Sequence, residues 1–122
     1  WNNQRDEREW GYFQTLKNEK NVKLKELVVK AGKGISYQRH FERSEIWFVS
    51  KGKCKVKLSK TDPDKFEEKI LNLNDLFKVD RNDWHQIINP FEDDCHLIEI
   101  QYGPKVIEDD IERLYFYEEN DD

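Results

Sequence analysis

The chain has no methionine, only three prolines and five glycines, and two cysteines among its 122 residues. Cys54 and Cys95 form no C-x-x-C pair, which argues against a zinc–thiolate site. They read as two buried, reduced thiols and not as a disulfide, so the expected compartment is the cytoplasm. No apolar run approaches the length of a membrane span, and no signal peptide is recognisable. The chain opens at Trp1 without a methionine, so an upstream piece is expected. Positive charge is not in excess: 21 Lys and Arg against 26 Asp and Glu leave a net −5, with the signs mixed. That balance disfavours nucleic acid and anionic membrane as partners, since both call for a basic face. It leaves room for an anionic small molecule in a locally positive pocket. Internal repeats, linkers and strong helix-forming stretches are also missing.

What is present is aromatic and β-forming: four Trp, seven Phe and five Tyr, with Val, Ile and Leu in short runs. The length suits one domain with one core. A polar arm is expected over 1–9, an ordered domain over 10–117 and an acidic tail over 118–122. Strands are expected over 22–30, 35–40, 45–50, 53–59, 66–71, 76–79, 84–89 and 95–102, separated by turns. Residues 53–59 alternate fully, with Cys54, Val56 and Leu58 inward and Lys53, Lys55, Lys57 and Ser59 outward. Lys51-Gly52 reads as a hairpin turn. Residues 108–116 read as a short C-terminal helix, acidic at its start as the helix dipole prefers, with Ile111, Leu114 and Tyr115 at helical spacing. Many strands of this length describe an all-β barrel or sandwich.

The stretch between Gly34 and Gly52 concentrates the chemistry. Gln38, His40 and Glu45 are three side chains able to bind a metal within eight residues. Gln38 and His40, two apart on a strand, point to one face, and a hairpin pairing is expected to bring Glu45 beside His40. His85 lies forty residues on. Two imidazoles, a carboxylate and an amide oxygen suit a divalent cation with room left for a substrate. From spacing alone, His40 also reads as a hydrogen-bonded barrel residue and Glu45 as the ion-pair partner of Arg43.

Gly34-x5-His40-x-Glu42-x2-Glu45-x6-Gly52 resembles the first cupin motif, and Asn74 through His85-x3-Asn89 resembles the second. Ser36-x-Gln38-x-His40-x-x-Arg43-x-Glu45-x-Trp47 is similar to the cupin domain of type II mannose-6-phosphate isomerases, the domain fused to mannose-1-phosphate guanylyltransferase. The likeness runs from Arg8-Glu9-Trp10-Gly11-Tyr12 to Glu108-Asp109-Asp110-Ile111-x-Arg113, nearly the whole chain. It implies a double-stranded β-helix, the jelly-roll barrel of cupins, and metal ligands at Gln38, His40, Glu45 and His85. It also implies that Arg43 and Arg113 line the pocket. The cation implied is Zn²⁺ first, with Mn²⁺, Fe²⁺, Co²⁺ and Ni²⁺ as alternatives. The chain departs from the pattern at Glu42, where relatives often carry histidine, and at Glu9, Asn74, Asp80 and Asn82, where they carry glycine or proline. Asn tolerates positive φ, so those turns are expected to survive, while Asp80 in place of proline is expected to loosen one of them.

The activity implied is the interconversion of mannose 6-phosphate and fructose 6-phosphate. Glu42, Glu99 and Lys25 are the candidates for moving the proton. Arg43 and Arg113 are the picks for phosphate or enediolate. Lys25, Trp47 and Glu99 are picked for substrate contact, Trp47 reading also as core. Two other classes remain: a sugar-binding or regulatory cupin without turnover, and another metal-dependent enzyme on the same barrel, such as a dioxygenase or epimerase. A homodimer is expected, with Trp1, Trp10, Tyr12 and Phe13 suited to crossing to a neighbour.

Overall fold

Period-two patterning, not helical spacing, governs the described residues. The computed structural model describes residues 5–118 and contains strands and turns throughout. In chain order the strands are β1 (Asp6–Arg8), β2 (Gly11–Asn18), β3 (Val22–Val29), β4 (Tyr37–Arg39), β5 (Ser44–Lys51) and β6 (Cys54–Ser59). There follow β7 (Glu67–Leu71), β8 (Leu76–Val79), β9 (Trp84–Ile88), β10 (Cys95–Tyr102) and β11 (Glu112–Tyr115). Six form one antiparallel sheet in the order β1-β2-β3-β10-β5-β8, and five form a second in the order β11-β4-β9-β6-β7. The chain switches sheets at most connections, which is the jelly-roll arrangement.

The inner faces meet over Leu27, Val29, Trp47, Val49, Cys54, Val56, Leu71, Val79, Ile87, Cys95 and Leu97, all buried. Burying this apolar surface at roughly 25 cal/mol per Å² is the main drive for the fold. Both cysteines are free and fully buried within it, as expected. Strand 6 keeps its alternation only in part: Ser59 is buried, its hydroxyl donating to the Asp62 carbonyl, while Leu58 is half-buried.

Three expectations are corrected. The stretch over 108–116 is not a helix. Asp110 spends its carboxylate on the N–H groups of Phe41 and Glu42, both at 2.8 Å, and residues 112–115 add as β11 to the edge of β4. Tyr115 packs its ring at a tilt against buried Tyr37, centroids 5.3 Å apart, and accepts a hydrogen bond from Lys57, contacts that an extended segment makes across the sheet. Lys51-Gly52 is not a hairpin, because β5 and β6 belong to different sheets. Gly52, at φ 74°, carries the chain around the barrel corner, and a Cβ there would lie 2.5 Å from the Asp94 carbonyl oxygen. The polar arm is ordered over β1, which pairs with β2 through Asp6–Phe13 and Arg8–Gly11; residues 1–4, with Trp1, lie outside the described residues, as do 119–122 of the acidic tail.

The positive-φ asparagines behave as expected. Asn74 and Asn82 both sit at φ 71°. Asp80 does not loosen its turn: its N–H donates to Asp83 Oδ2 at 2.9 Å, a bond that proline could not make.

Candidate functional site

Three neighbouring strands change character along their length. The inner face of β3 reads Lys23, Lys25, Leu27, Val29; that of β10 reads Gln101, Glu99, Leu97, Cys95; that of β5 reads Glu45, Trp47, Val49, and all of these residues are buried. Their registers align: Gln101 lies between Lys23 and Glu45, and Glu99 between Lys25 and Trp47. One end of the barrel is therefore hydrocarbon and the other a buried polar half. A cavity of about 660 Å³ opens over that polar half, bordered among others by Lys25, Gln38, Arg43, Glu99, Glu108 and Arg113.

His40, Glu45 and His85 converge here, with one donor atom from each within 4.8 Å of the others. They come from opposite sheets: Glu45 is on β5, His85 on β9, and His40 follows β4. The expected hairpin contact between Glu45 and His40 is in fact a contact across the barrel interior. His40 Nε2 lies 3.2 Å from Glu45 Oε2, and His85 Nε2 lies 3.9 Å from Glu45 Oε1. The two rings sit 5.1 Å apart, centre to centre. Each imidazole turns Nδ1 to a backbone carbonyl, His40 to Asp110 at 2.7 Å and His85 to Asp83 at 2.9 Å. Those acceptors place the ring proton on Nδ1 and leave the Nε2 lone pairs facing inward.

Gln38 pairs in register with His85 and brings its amide nitrogen 3.3 Å from His40 Nε2, while its oxygen accepts from Ser36 at 2.6 Å. Arg43 is the cation in the cluster. Its guanidinium reaches Glu45 Oε2 at 3.1 Å and His40 Nε2 at 3.2 Å, so the ion pair read from spacing is present beside the cluster of donors. Burial would raise the Glu45 carboxyl, but His40, His85 and Arg43 outweigh it and hold it well below the usual carboxylate range. Burial pushes His85 down to about 4, which keeps it neutral and able to offer a lone pair at neutral pH.

The donor set fits a divalent cation. His85 Nε2 is fully buried with no hydrogen-bond partner, a costly state for a polar atom that faces a carboxylate. A cation held by His40 Nε2, Glu45 and His85 Nε2 would satisfy it, with Gln38 beside them able to present its oxygen after an amide rotation.

The remaining expected residues divide. Lys25, Glu99 and Arg113 border the cavity. Burial, then the Glu45 charge, pushes the Glu99 carboxyl up to about 8. Glu42 is exposed at the corner after His40, outside the cavity lining, and its backbone N–H donates to Asp110 Oδ2. Trp47 is core: 1 % exposed, stacked on Phe77, with its N–H given to Glu45 and Glu99. Sequence alone does not single out Lys23, Gln101 or Asp110. The signal for Lys23 is the Lys-x-Lys-x-Leu-x-Val alternation of β3, masked by the adjacent Leu24 and Val28.

Residues 2–116 match the family described as Mannose-6-phosphate isomerase C-terminal. Among curated relatives, a mannose-1-phosphate guanylyltransferase of Salmonella montevideo is 33% identical over 107 residues, 88% of this chain and 21% of its own. The alginate biosynthesis protein AlgA of Pseudomonas aeruginosa is also 33% identical over 107 residues and is covered to the same extent. The chain thus spans about a fifth of the length of these relatives. Among solved structures, the Staphylococcus aureus capsular polysaccharide assembling protein CapF superposes with a TM-score of 0.77 at 16% identity, over 94% of this chain and 35% of that one. Bacillus subtilis oxalate decarboxylase does so at 0.80 and 14%, over 92% and 30%. At such identities these two carry the fold alone.

Proposed function

The chain belongs to the cupin family of mannose-6-phosphate isomerase C-terminal domains, and we propose that it interconverts mannose 6-phosphate and fructose 6-phosphate with a bound divalent cation, Zn²⁺ first among them. The observation that carries the reading is the convergence of His40, Glu45 and His85, with an orphaned His85 Nε2, against Gln38 and Arg43, which border a cavity of about 660 Å³ with room for a sugar phosphate.

His40, Glu45 and His85 would hold the cation, and Gln38 stands next to them. When bound, it supplies Lewis-acid polarisation of the sugar oxygens. The chain's own residues have the proton to move. In the aldose-to-ketose direction a C2–H bond breaks and a C1–H bond forms, with a compensating shift of a hydroxyl proton from O2 to O1. Glu99 is our choice for the carbon-bound proton: it borders the cavity, is 5 % exposed, and titrates near enough to neutrality to take a proton and return it. Gln101 Nε2 donates to its Oε1 at 2.6 Å and Trp47 to its Oε2 at 3.2 Å, which fixes the carboxyl in place. Arg43, anchored on Glu45, and Arg113, at the mouth on β11, are placed to stabilise negative charge on the enediolate.

The test is a coupled isomerase assay on zinc-loaded protein, run with His40→Ala, His85→Ala and Glu99→Gln. The histidine variants should lose bound zinc and turnover together. Glu99→Gln should keep zinc and lose at least about a hundredfold in kcat, the scale of general acid–base catalysis. Equal residual activity in all four proteins would remove the proposal and favour a sugar-binding barrel without turnover.

A further inference from the structure

We propose that Lys23 and Lys25, on the inner face of β3, form a phosphate-recognition site which Glu108 occupies until a phosphate monoester displaces it. The choice of a sugar phosphate as ligand rests on the isomerase reading; the anion site itself does not.

The lysine side chains are only 10% and 7% exposed, and both ammonium groups close on the same oxygen of one carboxylate, Glu108 Oε1, at 2.7 and 3.2 Å. Lysine is seldom buried without full pairing, because a buried ammonium needs a counter-charge. Two such groups here share a single carboxylate oxygen, so the pair retains positive charge. Lys25 also faces the ring of Phe13 at 4.3 Å, an apolar wall that keeps water away and favours a fixed anion. A phosphate monoester brings up to two negative charges and three terminal oxygens, enough to serve both ammonium groups at once.

Glu108 is built to leave. It sits in the turn that precedes β11, and its side chain is 62% exposed, so an outward rotation puts the carboxylate in water. Lys25 and Glu108 border the same cavity as Gln38 and Arg43. Gln101 lies in register between Lys23 on one side and Glu45 on the other, so those two backbones stand two strand spacings apart, roughly 10 Å. A hexose phosphate laid across β10 can present its carbonyl end to the donor cluster and its phosphate to the lysines. The carboxylate across the ladder from Lys25 is Glu99, whose oxygens already accept from Gln101 Nε2 and Trp47 Nε1.

The experiment is calorimetric titration of inorganic phosphate into the full chain and its variants, followed by mannose 6-phosphate and mannose, with thermal unfolding to verify folding. Glu108→Gln removes the competing charge and should tighten phosphate several-fold. Lys25→Met in the Glu108→Gln background, which leaves no unpaired carboxylate behind, should weaken it by at least about tenfold relative to Glu108→Gln alone. Equal phosphate affinity in wild type and Glu108→Gln, or in Glu108→Gln and the double variant, overturns the site. So does the absence of phosphate binding to all of them. Phosphate affinities in the expected order without turnover sink the isomerase reading and leave the site standing. Turnover with an unchanged KM in the double variant does the reverse.

Discussion

His85 Nε2 is a buried lone pair, turned toward a carboxylate, with no donor among the described residues. A bound cation removes that cost, so zinc should raise the unfolding temperature of the wild type. At a hundredfold excess over its Kd the stabilisation is about 2.7 kcal/mol. His85→Ala should abolish the zinc-dependent shift, as differential scanning calorimetry would show. Glu108 makes a prediction of opposite character. Burial pushes its carboxyl up, but Lys23 and Lys25 outweigh this and bring it to about 2, against an ordinary value of 4.5. Because the folded state holds it lower, its contribution to stability is present above pH 4.5 and is lost as pH falls toward 2. The urea midpoint of the wild type should drop across that window more steeply than that of Glu108→Gln. The effect is small, since over half the side chain is in water.

At the scale of elements, turn chemistry and strand alternation were legible in the chain, whereas partnership between strands was not. Asn74 and Asn82 were read as positive-φ positions and are. Replacing either by alanine should cost about 1 kcal/mol in urea denaturation, because a Cβ without a local hydrogen-bonding side chain fits that conformation poorly. Gly52 was read as a turn and is one, but the two strands it joins pair with other strands, a choice made by the twist and closure of the sheets and not by residues 51 and 52. The same blindness affected His40 and Glu45: their proximity was anticipated, but the structure makes it across the barrel. The expected helix failed for a related reason. The spacing of Ile111, Leu114 and Tyr115 fits a helix locally, while the partners that decide the matter, Tyr37, Lys57 and the edge of β4, lie more than fifty residues upstream.

For the whole molecule, the apolar core fills the hydrocarbon end of the barrel and the candidate site lies at the polar end. Leu97, fully buried between the sheets, belongs to the first. Leu97→Ala should cost 2–5 kcal/mol, on the order of other buried leucines, and leave zinc stoichiometry unchanged in whatever fraction remains folded. The homodimer expected from the aromatic N-terminal segment has less to work with than the sequence suggested. Trp10 and Phe13 pack against the protein's own core, and Tyr12 is buried beneath Arg5. The edge beyond them, β1, carries Asp6, Glu7 and Arg8, charges that discourage strand addition. A dimer built through this N-terminal segment would have to form around that edge; light scattering that returned a monomer mass at every concentration would dismiss it.

The hydrogen bond from His40 Nδ1 to the Asp110 carbonyl joins residues seventy positions apart. During synthesis, then, the imidazole of His40 stays unoriented until nearly the last stretch of this domain has left the ribosome. If the proposed cation is held there, His40 is oriented for it only once that late stretch is in place.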